Sequence, residues 1–142
     1  MNFESFLKKN VKEIEGVKYV ASERFTDENG KPVEWELKAI NTDLDELIRK
    51  DCTKKVPIAG KRGQYTMEHD NEKYLNKLAA ATTVFPNLKD AELQDSWGVK
   101  TPEDLLKQML SLPMEYTEYK NKVLEVNGYD ISFEDEVEEA KN

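Results

Sequence analysis

An Asn-Gly dipeptide at residues 29–30 separates two segments of alternating polarity, and it constrains the fold more than any other local feature. After it, Val33, Trp35 and Leu37 alternate with charged residues, which is typical of a strand with one buried face. Before it, the apolar residues between 17 and 25 mostly share one parity. Because Asn-Gly accepts the positive φ angles of a tight turn, we predict an antiparallel β-hairpin over roughly residues 17–40.

Two strands alone are only marginally stable in water, so the apolar face of the hairpin, with Trp35, must pack on another part of the chain. Helical periodicity and capping signals fill most of the remaining sequence. The predicted fold class is therefore α+β, with an N-terminal antiparallel β-hairpin packed on a mainly α-helical domain. The predicted helices cover residues 1–10, 42–51 with Thr42 as N-cap, 68–84, 90–96, 101–110 and 113–126.

The segment from Thr53 to Thr66 contains one proline and two glycines and is predicted to be a loop. With the end of the preceding helix it forms a basic region in which six cations face one carboxylate, Asp51, for a local charge of +5. Two interpretations stay open, a solvated loop and a surface that binds a partner protein. The candidate partner-binding residues are Arg49, Lys50, Lys54, Lys55, Lys61 and Arg62.

The overall charge argues against several classes of function. There are 29 acidic and 21 basic residues, a net charge of −8, and such a chain is repelled by phosphate backbones and anionic lipid. We therefore expect no nucleic acid and no membrane among its partners. The chain shows no signal-peptide pattern and has a single cysteine, Cys52, which is consistent with a reducing, cytoplasmic compartment.

Few residues could support catalysis. One cysteine and one histidine, His69, cannot assemble a Cys/His metal cluster, and a Cys52–His69 dyad lacks an evident third group to orient it. The segment 59–63 resembles a phosphate-binding loop, but Arg62 replaces the Ser or Thr that would hold magnesium. We expect no catalytic residue, no cofactor and no metal, and thus no enzyme.

The last residues differ in composition from the rest. Six carboxylates against Lys141 give a charge of −5 over residues 130–142, with only three large apolar residues. Such a segment cannot bury enough apolar surface to stay ordered by itself. We expect one domain over residues 1–128 and an acidic, flexible tail over 129–142, acting either as a solubilising tail or as an arm that orders on a partner.

Three stretches together are characteristic of a known family. They are residues 24–33, 48–53 and 74–94, and in that order and spacing the sequence resembles the XkdN-like phage tail assembly chaperones of PBSX-type prophages. The likeness runs from about residue 3 to residue 126. The set carries no catalytic signature.

The resemblance implies a non-enzymatic assembly factor that acts in the cytoplasm of the bacterial host and is absent from the mature particle. It implies two partners, the tape measure protein, which it binds and keeps soluble, and the tail tube protein, whose polymerisation it promotes. A longer, frameshifted form would recruit the tube protein, and codons for the final Lys141-Asn142 could supply a slippery site. Self-association stays open, and the alternative function is a small phage-encoded nucleic-acid-binding or regulatory protein.

Overall fold

The predicted N-terminal hairpin is present, with short strands. The computed structural model describes residues 3–129, in which β1 (Val17–Tyr19) pairs antiparallel with β2 (Trp35–Leu37). In the turn between them, Gly30 has a φ of 80° and its N–H donates to the carbonyl of Asp27 at 3.0 Å. Glycine rather than the preceding asparagine takes the left-handed conformation, for which it has no steric penalty.

A third strand, β5 (Thr83–Phe85), was not predicted. It follows helix α2 (Asn71–Thr82) without a break and pairs antiparallel with β2, which becomes the central strand of the sheet β1-β2-β5. Helix α2 therefore ends at Thr82, two residues before the end predicted from the sequence. Three residues are too few to show a strand periodicity, so only the pairing with β2 defines this strand.

The predicted N-terminal helix is wrong within the described residues. Two short 3₁₀ turns, Glu4–Phe6 and Lys8–Asn10, occupy the segment, with an extended Leu7 between them. Neither turn contains a buried residue. A short helix is marginal in water unless an apolar face is buried, and Phe3 and Phe6 are both exposed.

The predicted loop over 53–66 is also wrong. Strands β3 (Thr53–Pro57) and β4 (Tyr65–His69) form an antiparallel ladder of five residue pairs, connected by residues 58–64. Every residue of β4 is exposed. Because neither face of this ladder is buried, only the short stretch Tyr65-Thr66-Met67 alternates in polarity, which is too little for a strand prediction.

The remaining helices agree with the predictions to within a few residues. They are α1 (Thr42–Asp51), α3 (Ala91–Trp97), α4 (Pro102–Met109) and α5 (Pro113–Val126). Thr101 is the N-cap of α4, and its side chain accepts from the N–H of Asp104. The N-cap of α1 is Asn41 rather than Thr42, because Asn41 has an extended backbone and its side chain accepts from the N–H of Leu44 at 2.8 Å.

The core lies between the three-stranded sheet and the helices. Trp35 on β2 is 1% exposed, and its ring lies 5.5 Å from that of Tyr119 on α5 and 5.8 Å from that of Phe25. Around them pack leucines of α2 and α4. Within residues 3–129, none of the helices combines the length and the apolar character that a membrane span needs.

The side chain of Asn127 connects the sheet to two helices through hydrogen bonds. The Asn127 amide donates to the hydroxyl of the buried Thr82 at 3.0 Å and accepts from the N–H of Ile40 at 3.0 Å. Thr82 ends α2, Ile40 follows β2 and Asn127 follows α5. A single residue thus satisfies polar groups from three elements, which keeps them in register.

We expect Trp35→Ala to lower the free energy of unfolding by about 3–5 kcal/mol, because it removes the largest side chain from the centre of the core. Urea denaturation followed by circular dichroism measures the change. Trp97→Ala, which removes a partly exposed ring at the end of α3, is the control and should cost clearly less. A loss below about 1 kcal/mol for Trp35→Ala would contradict the central place of this residue.

Candidate partner-binding site

Residues 53–69, here called the basic hairpin, comprise β3, the connection 58–64 and β4. Its four cations, Lys54, Lys55, Lys61 and Arg62, face one carboxylate, Glu68, for a charge of +3 on a chain of −8. The basic hairpin joins the body through its base, where α1 leads into β3 and β4 leads into α2. It therefore carries positive charge on an otherwise acidic protein.

Strand alternation divides the basic hairpin into two faces. The register places Lys55 opposite Met67 and Pro57 opposite Tyr65, so these four residues share one face. Tyr65 and Met67 are each 59% exposed. Two large apolar side chains beside a lysine form a surface of the composition found at protein–protein contacts, where Tyr and Met are enriched.

The tip of the basic hairpin consists of two successive turns. The N–H of Lys61 donates to the carbonyl of Ile58, and the N–H of Gln64 donates to the carbonyl of Lys61. Gly60 and Gly63 occupy the third position of these turns, each with a φ of 77°. A type II turn requires this conformation at that position, so the glycines serve the turns. Turn geometry thus accounts for the two glycines that gave this segment its superficial likeness to a phosphate-binding loop.

Arg49 belongs to a different group, here called the tyrosine clasp, with Asp45, Tyr74 and Tyr129. Its guanidinium donates to Asp45 at 2.9 Å, to the hydroxyl of Tyr74 at 3.1 Å and to that of Tyr129 at 2.9 Å. The same guanidinium lies over the Tyr74 ring, 4.2 Å from its centroid. Tyr74 in turn donates its hydroxyl proton to Asp45. Arg49 therefore links α1, α2 and the residues after α5, while part of its side chain stays exposed.

The hydrogen bonds of the tyrosine clasp shift the pKa values of its members. Burial opposes ionisation, yet hydrogen bonds from Tyr74 and Arg49 hold the pKa of Asp45 below its usual value. The hydrogen bond to Asp45 raises the pKa of Arg49. Burial and the hydrogen bond to Asp45 likewise raise the pKa of the Tyr74 hydroxyl. An ionised Asp45 and a protonated Tyr74 are thus the forms favoured at neutral pH.

The six candidate cations do not form one surface. Lys50 is exposed at the end of α1, Lys54 and Lys55 lie on opposite faces of β3, and Lys61 and Arg62 lie in the tip. These five form no ion pair with another described residue. Sequence reasoning missed the apolar Tyr65 and Met67 beside them, which the alternation of Tyr65-Thr66-Met67 could have indicated.

Cys52 and His69 both lie at the base of the basic hairpin, where His69 pairs with Thr53, but their surroundings do not favour a nucleophilic pair. Burial raises the pKa of the Cys52 thiol, whereas a reactive cysteine needs a lowered one. The His69 ring packs on Tyr74, with 5.6 Å between the ring centroids. Within residues 3–129, no group of three or more His, Cys, Asp and Glu side chains could hold a metal ion.

A groove of about 390 Å³ lies between α1, α2 and the start of α4. Leu44 and Ile48 from α1 and Leu88 are among its apolar lining residues. The small Ala80 and Ala81 of α2 also line it. Such a groove suits the apolar side of an incoming helix.

We expect Asp45→Asn to lower the free energy of unfolding at pH 7 by about 1–3 kcal/mol, because it weakens two hydrogen bonds of the tyrosine clasp. The pKa of Asp45 is depressed in the folded state. Its contribution is therefore complete above the ordinary carboxyl pKa of about 4 and is lost as the pH falls through the lower folded value. Urea denaturation at pH 7 and at lower pH should show the two proteins converging in acid.

Asp43→Asn is the matched control, since Asp43 lies exposed in the first turn of the same helix. It should cost less than about 1 kcal/mol, the range of a charge at a helix N-terminus. Equal losses for the two variants would contradict a special role for Asp45.

Three comparisons place the chain among known proteins. A protein of Bacillus subtilis strain 168 named YqbN is 38% identical over 131 residues, which cover 92% of this chain and 86% of that protein. The phage-like element PBSX protein XkdN of the same strain is 33% identical with the same coverage. A crystal structure of yqbn superposes with a TM-score of 0.78 and 28% identity, covering 92% of this chain and 98% of the other.

The family model of the phage XkdN-like tail assembly chaperone protein matches residues 3–141. This span contains the sheet, all five helices described here and the basic hairpin. The sequence resemblance is therefore confirmed: this chain belongs to the family of XkdN-like phage tail assembly chaperones.

Proposed function

We propose that this tail assembly chaperone binds the tape measure protein of its phage or prophage in the cytoplasm of the bacterial host and keeps it soluble. In this proposal it acts without catalysis and leaves before the particle is complete. The family supports the general role in tail assembly. The observation that carries the proposal is the basic hairpin, whose four cations and exposed Tyr65 and Met67 are not needed for the core.

The chemistry of the basic hairpin defines the partner segment that it would bind. Lys54, Lys55, Lys61 and Arg62 would attract carboxylates, and Tyr65 and Met67 would cover apolar side chains. An acidic, amphipathic segment of the tape measure protein has both properties. The groove beside Leu44 and Ile48 would accept an adjacent helix of the same partner.

We further propose the tail tube protein as a second partner, reached through a longer form made by frameshifting near Lys141-Asn142. The division into a domain over 1–128 and an acidic tail over 129–142 belongs to this proposal, because residues 130–142 lie outside the described part of the chain. Self-association of the chaperone would allow several copies to coat one tape measure chain.

Reversal of the four cations of the basic hairpin tests the electrostatic part. We expect Lys54→Glu, Lys55→Glu, Lys61→Glu and Arg62→Glu together to weaken binding to the co-expressed tape measure protein by about tenfold or more at low salt. The loss should shrink at high salt, where exposed charges are screened. Pulldown at two salt concentrations measures both.

The matched control reverses four exposed lysines elsewhere, Lys31, Lys38, Lys100 and Lys107. It changes the net charge equally and should leave more of the binding intact. Equal weakening by both sets would mean that net charge alone matters. Retention of a nucleic-acid fragment instead of the tape measure protein would favour the alternative function.

The apolar part of the site predicts a different salt dependence. Tyr65→Ser with Met67→Ser should weaken binding by about tenfold at low and high salt alike, because the lost contacts are apolar. The free energy of unfolding should change by less than about 1 kcal/mol, since both side chains are exposed. Val84→Ser, at an exposed position of β5, is the control. Unchanged binding would exclude Tyr65 and Met67 from the site.

A further inference from the structure

The uncovered face of the basic hairpin lies close to the point where the described chain ends. The hydroxyl of Tyr129, the last described residue, accepts from Arg49 at 2.9 Å and lies 3.5 Å from the hydroxyl of Tyr74. The Tyr74 ring contacts His69, the last residue of β4, at 5.6 Å. One tyrosine side chain thus separates Tyr129 from the base of the basic hairpin.

His69 also belongs to the face that carries the exposed apolar residues. Strand alternation places Tyr65, Met67 and His69 on one side of β4, with Lys55 across the ladder. The rings of Tyr74 and His69 thus lie between the Tyr129 hydroxyl and the base of this face.

The sequence after Tyr129 complements this face in charge and in pattern. Residues 130–142 carry −5, the basic hairpin carries +3, and the remaining residues together carry −6 because the whole chain carries −8. An acidic segment is thus attracted to the basic hairpin and repelled by the rest. Ile131 and Phe133 alternate with polar residues, and five carboxylates follow them in the sequence.

The length of residues 130–142 is sufficient. Thirteen residues span up to about 40 Å, whereas a five-residue strand is about 17 Å long. Tethering at Tyr129 also gives the segment an effective concentration in the millimolar range, so that modest attraction is enough for binding.

We infer that residues 130–142 of this chain bind the face of the basic hairpin formed by Lys55, Tyr65 and Met67. This binding does not rest on the proposed function, and it can be tested on the chaperone alone.

A nitroxide label near the chain end tests the inference in the full-length protein. Ala140→Cys provides the label site, and Cys52 is too buried to react in the folded state. We expect paramagnetic broadening of the backbone amides of β3, the tip and β4 to exceed that of the amides of α4 severalfold at low salt. The broadening should disappear at about 1 M salt, where the Debye length is about 3 Å.

The control carries the same label with the tail charges removed by Glu134→Gln, Asp135→Asn, Glu136→Gln, Glu138→Gln and Glu139→Gln. It should lose the selective broadening. Broadening that is equal over the hairpin and α4, or that persists in the neutralised variant, would overturn the inference. The labelled protein is also diluted with protein that carries no nitroxide. Selective broadening that vanishes on this dilution would overturn the inference too, since the tail of a second copy would then occupy the face. None of these measurements involves the tape measure protein, so their outcome leaves the proposed function untouched.

Discussion

The packing of Trp35 against Tyr119 joins the small sheet to the helices, and the rest of the body is arranged around it. Trp35 lies on the central strand β2, which is paired on both edges, and Tyr119 lies in the middle of α5. Phe25 and Tyr19 extend the aromatic cluster toward the hairpin turn and β1. Edge-to-face contacts of this kind stabilise by about 0.5–1.5 kcal/mol beyond the area that they bury.

The body and the basic hairpin have different physical roles in this tail assembly chaperone. The body contains the core around Trp35, and within residues 3–129 no buried side-chain polar atom lacks a hydrogen-bond partner. The basic hairpin buries little and exposes Tyr65 and Met67. Because its strands contribute few contacts to the core, its surface can change without loss of the fold. This separation suits a protein whose family functions by binding tail components.

Prediction from the sequence succeeded where local chemistry decides the structure. The Asn29-Gly30 turn, the Thr101 cap and the helix from Pro113 to Val126 each depend on neighbours in the chain. It failed where local preference is weak. The ladder of β3 and β4 has no buried face to impose alternation, and the N-terminal 3₁₀ turns contain no buried residue that would favour a helix.

The sequence by itself determined the α+β class, the family and the positive charge near residues 49–62, because composition, periodicity and motif order are properties of the chain. Only the tertiary structure decided what surrounds each of those cations. It placed Arg49 in the tyrosine clasp with Tyr74 and Tyr129, residues 25 and 80 positions away. It also set Lys55 beside Met67 by strand pairing. Contacts between distant segments follow from packing in three dimensions, and no local pattern encodes them.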